Sequence, residues 1–297
     1  MSADAPGSAL AAARPAWADY VELVKPRITL MVVMTTFVGF AVAHRGPMPL
    51  GLVAATLVGT ALVAAGSATM NMLLERRTDA LMHRTRNRPL PAGRLRGVEA
   101  LAWGLLLSVV GLALLFLRAG PLPAAVALAT WTSYLFLYTP LKTRTSLATV
   151  VGALPGALPP VIGWTAAASR FEPGAFVLFA IMFLWQIPHF LAIAWIYRED
   201  YARGGLPMLP VLDPEGRMTG RQAVANSLAL TLISLTPAVA GLAGSFYVVG
   251  AAVLGLAFTG VAVYAAVLRT TPAARKLFLA SLLYLPALFT LLLLGRK

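Results

Sequence analysis

Cysteine is absent from this sequence of 297 residues, and charged residues are scarce. The absence of cysteine excludes disulfides and thiolate metal sites. Charged residues make up 12% and hydrophobic residues 59% of the chain, whereas an average soluble domain has about 25% and about 45–50%. A soluble fold has too little interior to bury this excess of apolar side chains, but a lipid bilayer accommodates it. The composition therefore predicts an integral membrane protein.

The formal net charge is +13, a value that also occurs in nucleic-acid-binding proteins. Most Arg and Lys residues lie in loops between apolar runs, however, which argues against a nucleic-acid partner. The N-terminal region carries Asp4, Asp19 and Glu22 and lacks the pattern of a cleaved signal peptide. These acids also disfavour a mitochondrial transit peptide. We therefore expect residues 1–20 to form a flexible tail and residues 21–297 to form a single membrane domain.

Nine apolar runs are long enough to cross a bilayer as α-helices, which requires about 20 residues each. A helix is the expected form because every backbone polar group must be hydrogen-bonded inside the hydrocarbon core. The runs lie near residues 27–44, 50–75, 98–118, 121–138, 146–167, 174–197, 225–243, 246–268 and 276–295. Several of the loops are short, so neighbouring helices must be antiparallel. The predicted fold class is an all-α membrane protein with nine transmembrane helices in one bundle.

The distribution of basic residues indicates a cytoplasmic N-terminus, because cytoplasmic loops carry an excess of Lys and Arg. With that orientation, 19 of the 24 basic residues fall in cytoplasmic segments. The remaining five are Arg45, Arg118, Arg170, Arg296 and Lys297. Two long charged loops, at about residues 76–97 and 198–222, lie on the cytoplasmic side. We therefore expect the active site to lie toward the cytoplasmic face.

The most informative motif begins at the end of the second apolar run. Asn71, Glu75 and Asp79 follow one another at intervals of four residues, which places them within an arc of about 80° on one helix face. Stacked oxygen ligands of this kind suit hard cations such as Mg²⁺. Arg84 and Arg88 follow and are suited to contacts with phosphate oxygens. The motif therefore indicates a diphosphate substrate, although solvated helix-end acids that balance nearby arginines are the simpler alternative.

This Asn-x-x-x-Glu-x-x-x-Asp motif, followed by Met-x-Arg-Thr-x-x-Arg-Pro-Leu, resembles the first acidic motif of the intramembrane UbiA-type prenyltransferases. Its longer form looks like that of the protoheme IX farnesyltransferase (haem O synthase) family, and the resemblance covers about residues 20–295. The resemblance implies a ring of nine helices around a central cavity. It also implies that farnesyl diphosphate and haem B are substrates, that Mg²⁺ is required, and that haem A synthase is a possible partner.

Two further residues match the superfamily pattern Tyr-x-x-x-Lys at the end of the fourth run. Lys142 could neutralise a diphosphate oxygen, and the hydroxyl group of Tyr138 could donate a hydrogen bond to another. Read without the family, Tyr138 is an interfacial aromatic residue and Lys142 a positively charged anchor. The resemblance favours a catalytic role for both.

A second acidic region follows the sixth apolar run. Its candidate residues are His189, Arg198, Glu199, Asp200 and Tyr201. The resemblance implies that Asp200 is a metal ligand, but Ile196 stands where the superfamily usually has another aspartate. His189 is either a hydrogen-bonded helix-packing residue or, as the resemblance implies, a contact to haem.

The resemblance implies farnesyl transfer from farnesyl diphosphate to a vinyl group of haem B, which gives haem O. Mg²⁺ would be held by Asn71, Glu75, Asp79 and Asp200, and basic residues would neutralise the diphosphate. Two alternatives keep the chemistry but change the acceptor to a quinone precursor or chlorophyllide. A membrane transporter and a non-catalytic haem-binding subunit are alternatives from other classes. The expected location is the bacterial cell (inner) membrane, with the mitochondrial inner membrane less favoured.

Overall fold

A computed structural model describes residues 15–296 of the protein, and these residues are mostly helical. We label the long helical segments α1 to α9. They are α1 Pro26–Ala43, α2 Leu50–Leu74, α3 Gly97–Arg118, α4 Pro121–Thr132, α5 Ala148–Ala157 with Pro159–Ala168, α6 Pro173–Ile196, α7 Arg217–Ile233, α8 Ser245–Leu268 and α9 Thr271–Leu294. Short helices lie at Ala16–Leu23, Arg76–Leu81, Arg198–Arg203, Leu209–Leu212 and Thr236–Val239. The prediction of an all-α membrane fold is confirmed.

In the described part of the chain, 8 helical segments are long and apolar enough to cross a membrane. The segment outside this group is α4, which continues as a π-helix over Ser133–Tyr138 and a last turn over Thr139–Leu141. Pro140 lies in that last turn, and its ring cannot fit against the carbonyl group of a regular α-helix. Widening of the helix just before the proline removes the conflict. The count of nine crossings stays a prediction.

Helix α7 begins at Arg217, although the sequence predicted a run from about residue 225. The first two turns carry Arg217, Arg221 and Gln222, and these polar residues lower the hydropathy of that part. Long arginine side chains can cover apolar surface while their charged ends reach water, so the helix forms regardless of this polarity. The loop between α6 and α7 is correspondingly shorter than expected.

The N-terminal region is helical from Ala16, inside the stretch predicted to be a flexible tail. The Asp19 carboxylate lies 3.0 Å from Nε of Arg94, in the loop between α2 and α3. This ion pair fixes the short helix to the loop. Residues 1–14 of the predicted tail lie outside the described residues.

The first and fifth long helices pack closely because glycine replaces larger residues at their contact. A Cβ atom at Gly39 would overlap the backbone of Pro160, and one at Gly163 would overlap the backbone of Thr36. Small residues allow membrane helices to approach in this way. Helix α9 also touches α1, so the first and last long helices are neighbours, as in a ring.

The two ends of the described chain lie at opposite ends of the bundle. The Asp19–Arg94 pair lies at the end that carries the loop between α2 and α3. Arg296 instead donates a hydrogen bond to the carbonyl of Ala41, where α1 ends. An odd number of crossings produces this arrangement. We call the end with the α2–α3 and α6–α7 loops the motif end.

Candidate active site

The first acidic motif crosses a break in the helix, contrary to the prediction of one continuous helix. Helix α2 ends at Leu74, Glu75 has a ψ of 1°, and the next helix begins at Arg76. The backbone N–H of Glu75 still donates to the carbonyl of Asn71 at 2.9 Å, and that of Asp79 to the carbonyl of Glu75 at 2.8 Å. These two bonds preserve the spacing of four residues across the break.

The Asn71 side chain is buried and is held by two other helical segments. Its Oδ1 accepts a hydrogen bond from Nζ of Lys25 at 2.9 Å. Its Nδ2 donates to Oγ1 of Thr139 at 3.1 Å, just after the π-helix of α4. Asn71 therefore links the start of α1 to the end of α4.

Glu75 forms an ion pair with Lys142 at the end of α4. The Lys142 Nζ lies 2.9 Å from one carboxylate oxygen and 3.0 Å from the other. The two side chains are only 12% and 14% exposed. The ammonium group also lies 6.0 Å from the centre of the Tyr138 ring. Lys142 and Tyr138 therefore lie at the acidic motif.

Asp79 is 1% exposed and pairs with Arg88, whose guanidinium group lies 2.7 Å from Oδ2. The hydroxyl group of Thr85 donates to the Asp79 carbonyl at 2.8 Å. This bond folds the chain back after the short helix and returns Arg88 to the acid. Each of the three motif residues therefore has its own cationic partner, supplied by a different part of the chain.

Asp200 was predicted to share a metal with the other three residues, and this stays a prediction. In the structure, Asp200 accepts hydrogen bonds from the backbone N–H groups of His83 and Arg84, each at 3.1 Å. Arg203 donates a third bond at 2.5 Å.

Burial alone would raise the pKa of Asp200, but the bonds from Arg203 and from the backbone of Arg84 and His83 lower it below its ordinary value. Hydrogen bonds to a carboxylate stabilise its charged form. The ionised Asp200 thus fastens the α2–α3 loop to the short helix after α6.

The remaining predicted binding residues separate into two groups. Arg84 lies over the rings of Tyr197 and Tyr201, at 4.9 Å and 5.9 Å from their centres. Arg198 turns away, because its guanidinium group donates to the Trp195 carbonyl at 3.1 Å and to Thr271 at 3.3 Å. Glu199 is exposed. Arg84 and Tyr201 thus contact each other, and Arg198 contacts α9 instead.

His189 lies within the bundle and contacts α9. Its Nδ1 lies 2.7 Å from the Ser281 hydroxyl oxygen, within hydrogen-bond distance. The ring stacks on Trp185 at 4.9 Å and lies 5.1 Å from Phe278. These contacts agree with a helix-packing role. They also orient the ring. A hydrogen bond at one imidazole nitrogen fixes the ring so that the other nitrogen can bind a ligand.

Lys25 and Thr139 are site residues that the sequence reasoning missed. Lys25 was counted only as a basic residue on the cytoplasmic side, and Thr139 only as part of the tyrosine–lysine motif. Lys25 has a φ of 46° and is followed by Pro26, which begins α1. The available signal in the sequence was the Lys-Pro pair just before the first apolar run. Proline favours the first position of a helix, so the lysine before it is expected where that helix starts.

Comparison with known proteins extends the match from the motif to the whole chain. Residues 32–289 match the UbiA prenyltransferase family. Protoheme IX farnesyltransferase from Solibacter usitatus is 48% identical over 94% of this chain and 98% of its own length. The protein of the same description from an Anaeromyxobacter species is 43% identical over 98% of this chain and 99% of its own length.

Solved structures show the same fold at lower identity. A structure described as digeranylgeranylglyceryl phosphate synthase superposes with a TM-score of 0.79 at 15% identity, and covers 94% of this chain and 98% of its own. A UbiA homolog from Archaeoglobus fulgidus bound to GPP and Mg²⁺ has a TM-score of 0.68 at 18% identity, with 92% and 99% coverage. At these identities the likeness concerns the fold.

Proposed function

Because this chain belongs to the UbiA prenyltransferase family, we propose that it transfers a farnesyl group from farnesyl diphosphate to a vinyl group of haem B. The relatives that match nearly the whole chain are protoheme IX farnesyltransferases. The observation that carries the proposal is the pairing of Asn71, Glu75 and Asp79 with Lys25, Lys142 and Arg88. A transporter does not need this set of acids and cations at one end of its helices.

The residues of the motif suit a Mg²⁺–diphosphate ligand. Asn71, Glu75 and Asp79 offer hard oxygen donors, and their present partners are cations, so these oxygens already face positive charge. In this proposal the three residues hold Mg²⁺, which supplies charge neutralisation for the leaving diphosphate. Lys25, Lys142 and Arg88, which now bond Asn71, Glu75 and Asp79, would then be able to contact diphosphate oxygens.

The chain's own residues promote cleavage of the allylic C–O bond by stabilising the leaving diphosphate. Fixed cations beside the developing negative charge act strongly in a site that excludes water. Arg84, held over Tyr197 and Tyr201, is placed in the same loop as Arg88 and adds a further charge.

The farnesyl carbon released from oxygen forms its new bond to the haem vinyl carbon. Water then adds to the carbon next to the porphyrin and loses a proton, which gives the hydroxyethylfarnesyl group of haem O. The apolar walls of the bundle protect the reactive carbon from earlier capture by water. Haem A synthase is the proposed acceptor of the product.

Incubation of the purified protein with haem B, farnesyl diphosphate and Mg²⁺ tests the function. Mass spectrometry should find a porphyrin heavier by one farnesyl group and one hydroxyl group. A parallel reaction with a quinone precursor as acceptor should give no prenylated product. Prenylation of the quinone precursor but not of haem B would overturn the proposed acceptor.

We propose that the motif end faces the cytoplasm of a bacterial cell and that the protein lies in its inner membrane. Single cysteines introduced at the exposed positions 87 and 215 should then react with a reagent from the cytoplasmic side. Those at residues 120 and 245 should react only from the opposite side. The native chain has no cysteine, so it provides an unlabelled background. Reversed labelling of either pair would show that a crossing has been miscounted.

We also propose that His189 contacts haem through its other ring nitrogen. His189→Ala should then change the absorption spectrum of the haem-bound protein and weaken haem binding. Binding of a farnesyl diphosphate analogue should be preserved, because that substrate is held at the motif end. Titration of each ligand separately provides the measurement.

Ser281→Ala is the matched control, because it removes the hydrogen bond at Nδ1 but keeps the imidazole ring. This variant should lose about 0.5–1.5 kcal/mol of stability and retain most of its haem affinity. Equal stability losses in both variants, with an unchanged haem spectrum, would assign His189 to helix packing alone.

A further inference from the structure

A groove outside the candidate active site lies between α7 and α8 at the motif end. It has a volume of about 560 Å³, and its lining includes Arg217, Gly220, Arg221, Leu228, Ala266 and Arg269. A Cβ atom at Gly220 would lie 2.9 Å from that of Ala266, so glycine allows the two helices to meet at the floor. The groove therefore combines three arginines with apolar walls.

The positive charge of the groove exceeds the negative charge near it. Arg217 pairs with Glu215 at 2.8 Å, and both side chains are exposed. The guanidinium group of Arg269 donates to the Glu215 carbonyl, at 3.4 Å. Within residues 15–296, Arg221 has no hydrogen-bond or ion-pair partner. Asp213, the other nearby acid, is bonded to Thr219 and does not line the groove.

The lining residues of α7 change from charged to apolar along one helix face. Arg217 and Arg221 occupy the first two turns, and Leu228 and Leu232 continue the same face two and three turns later. These leucines are 49% and 68% exposed. An amphiphile with a negative head and apolar tails matches this order of side chains.

We propose that this groove binds the headgroup of an anionic phospholipid, with the acyl chains along the exposed leucines of α7. Basic pockets at the ends of membrane helices attract acidic lipids by this charge complementarity. The site is separate from the prenyl transfer site, so the two proposals can fail independently.

Native mass spectrometry of the full-length protein with phosphatidylglycerol or phosphatidylcholine tests the proposal. The wild type should bind phosphatidylglycerol more tightly than phosphatidylcholine. The double variant Arg217→Gln with Arg221→Gln should bind phosphatidylglycerol about 30-fold more weakly. Its melting temperature without lipid should remain that of the wild type, because both side chains are exposed.

The control variant combines Arg144→Gln with Arg275→Gln, which removes the same charge from exposed arginines outside the groove. It should keep the wild-type affinity. An equal loss in the control would show general attraction to the basic surface and overturn the proposal. Inorganic phosphate that binds as tightly as phosphatidylglycerol would overturn the assignment to a lipid.

Discussion

Replacing Asp79 by alanine is expected to lower the turnover number about 1000-fold, because removal of one group that stabilises a developing charge commonly costs about 100–1000-fold. Asp79 is 1% exposed and faces Arg88 at 2.7 Å. Arg88 is itself 21% exposed, so it can turn toward water in the variant, and the fold should persist. Turnover of haem B to the farnesylated porphyrin is the measurement, with the melting temperature recorded alongside.

EDTA should likewise abolish turnover of the wild type, and added Mg²⁺ should restore it. Glu215→Ala is the matched control, because Glu215 is an exposed acid at the same end of the bundle. The control should retain wild-type turnover and the same response to EDTA. Wild-type turnover by Asp79→Ala would remove Asp79 from the proposed metal site.

Lys142→Met should reduce kcat/KM for farnesyl diphosphate about 100-fold or more, because a cation beside the leaving group is lost. The same change leaves Glu75 without its partner in a mostly buried position. Breaking such a pair commonly costs about 3–5 kcal/mol, so the variant should also melt at a lower temperature. Steady-state kinetics and thermal unfolding in detergent give both quantities.

The double variant Glu75→Gln with Lys142→Met separates stability from catalysis. It removes both charges, so the melting temperature should recover while activity stays low. Arg144→Met is the control for Lys142, because it removes an exposed charge from the same loop and should change neither quantity. If activity recovered together with stability, the Glu75–Lys142 pair would have a role in stability and none in catalysis.

Much of the architecture could be predicted from the sequence, because membrane helices obey a strong local rule. Long apolar runs must be helical in lipid, so the existence of the helices and most of their bounds could be predicted. The rule does not predict the structure where polar residues begin a helix or where a proline distorts the backbone. Arg217 and Arg221 lower the hydropathy at the start of α7, so the sequence predicted that start too late. Pro140 follows a π-helix, which hydropathy alone cannot predict.

The sequence by itself determined which residues of the first motif belong together, since a spacing of four residues is a local property of the helix. Only the tertiary structure decided their partners. Lys25 and Lys142 reach the motif from α1 and α4, 46 and 67 residues away from Asn71 and Glu75. The tertiary structure also decided the partners of Asp200, whose carboxylate accepts hydrogen bonds from backbone N–H groups 117 and 116 residues away. Contacts between distant segments depend on how the helices pack, and helix packing cannot be read from local spacing.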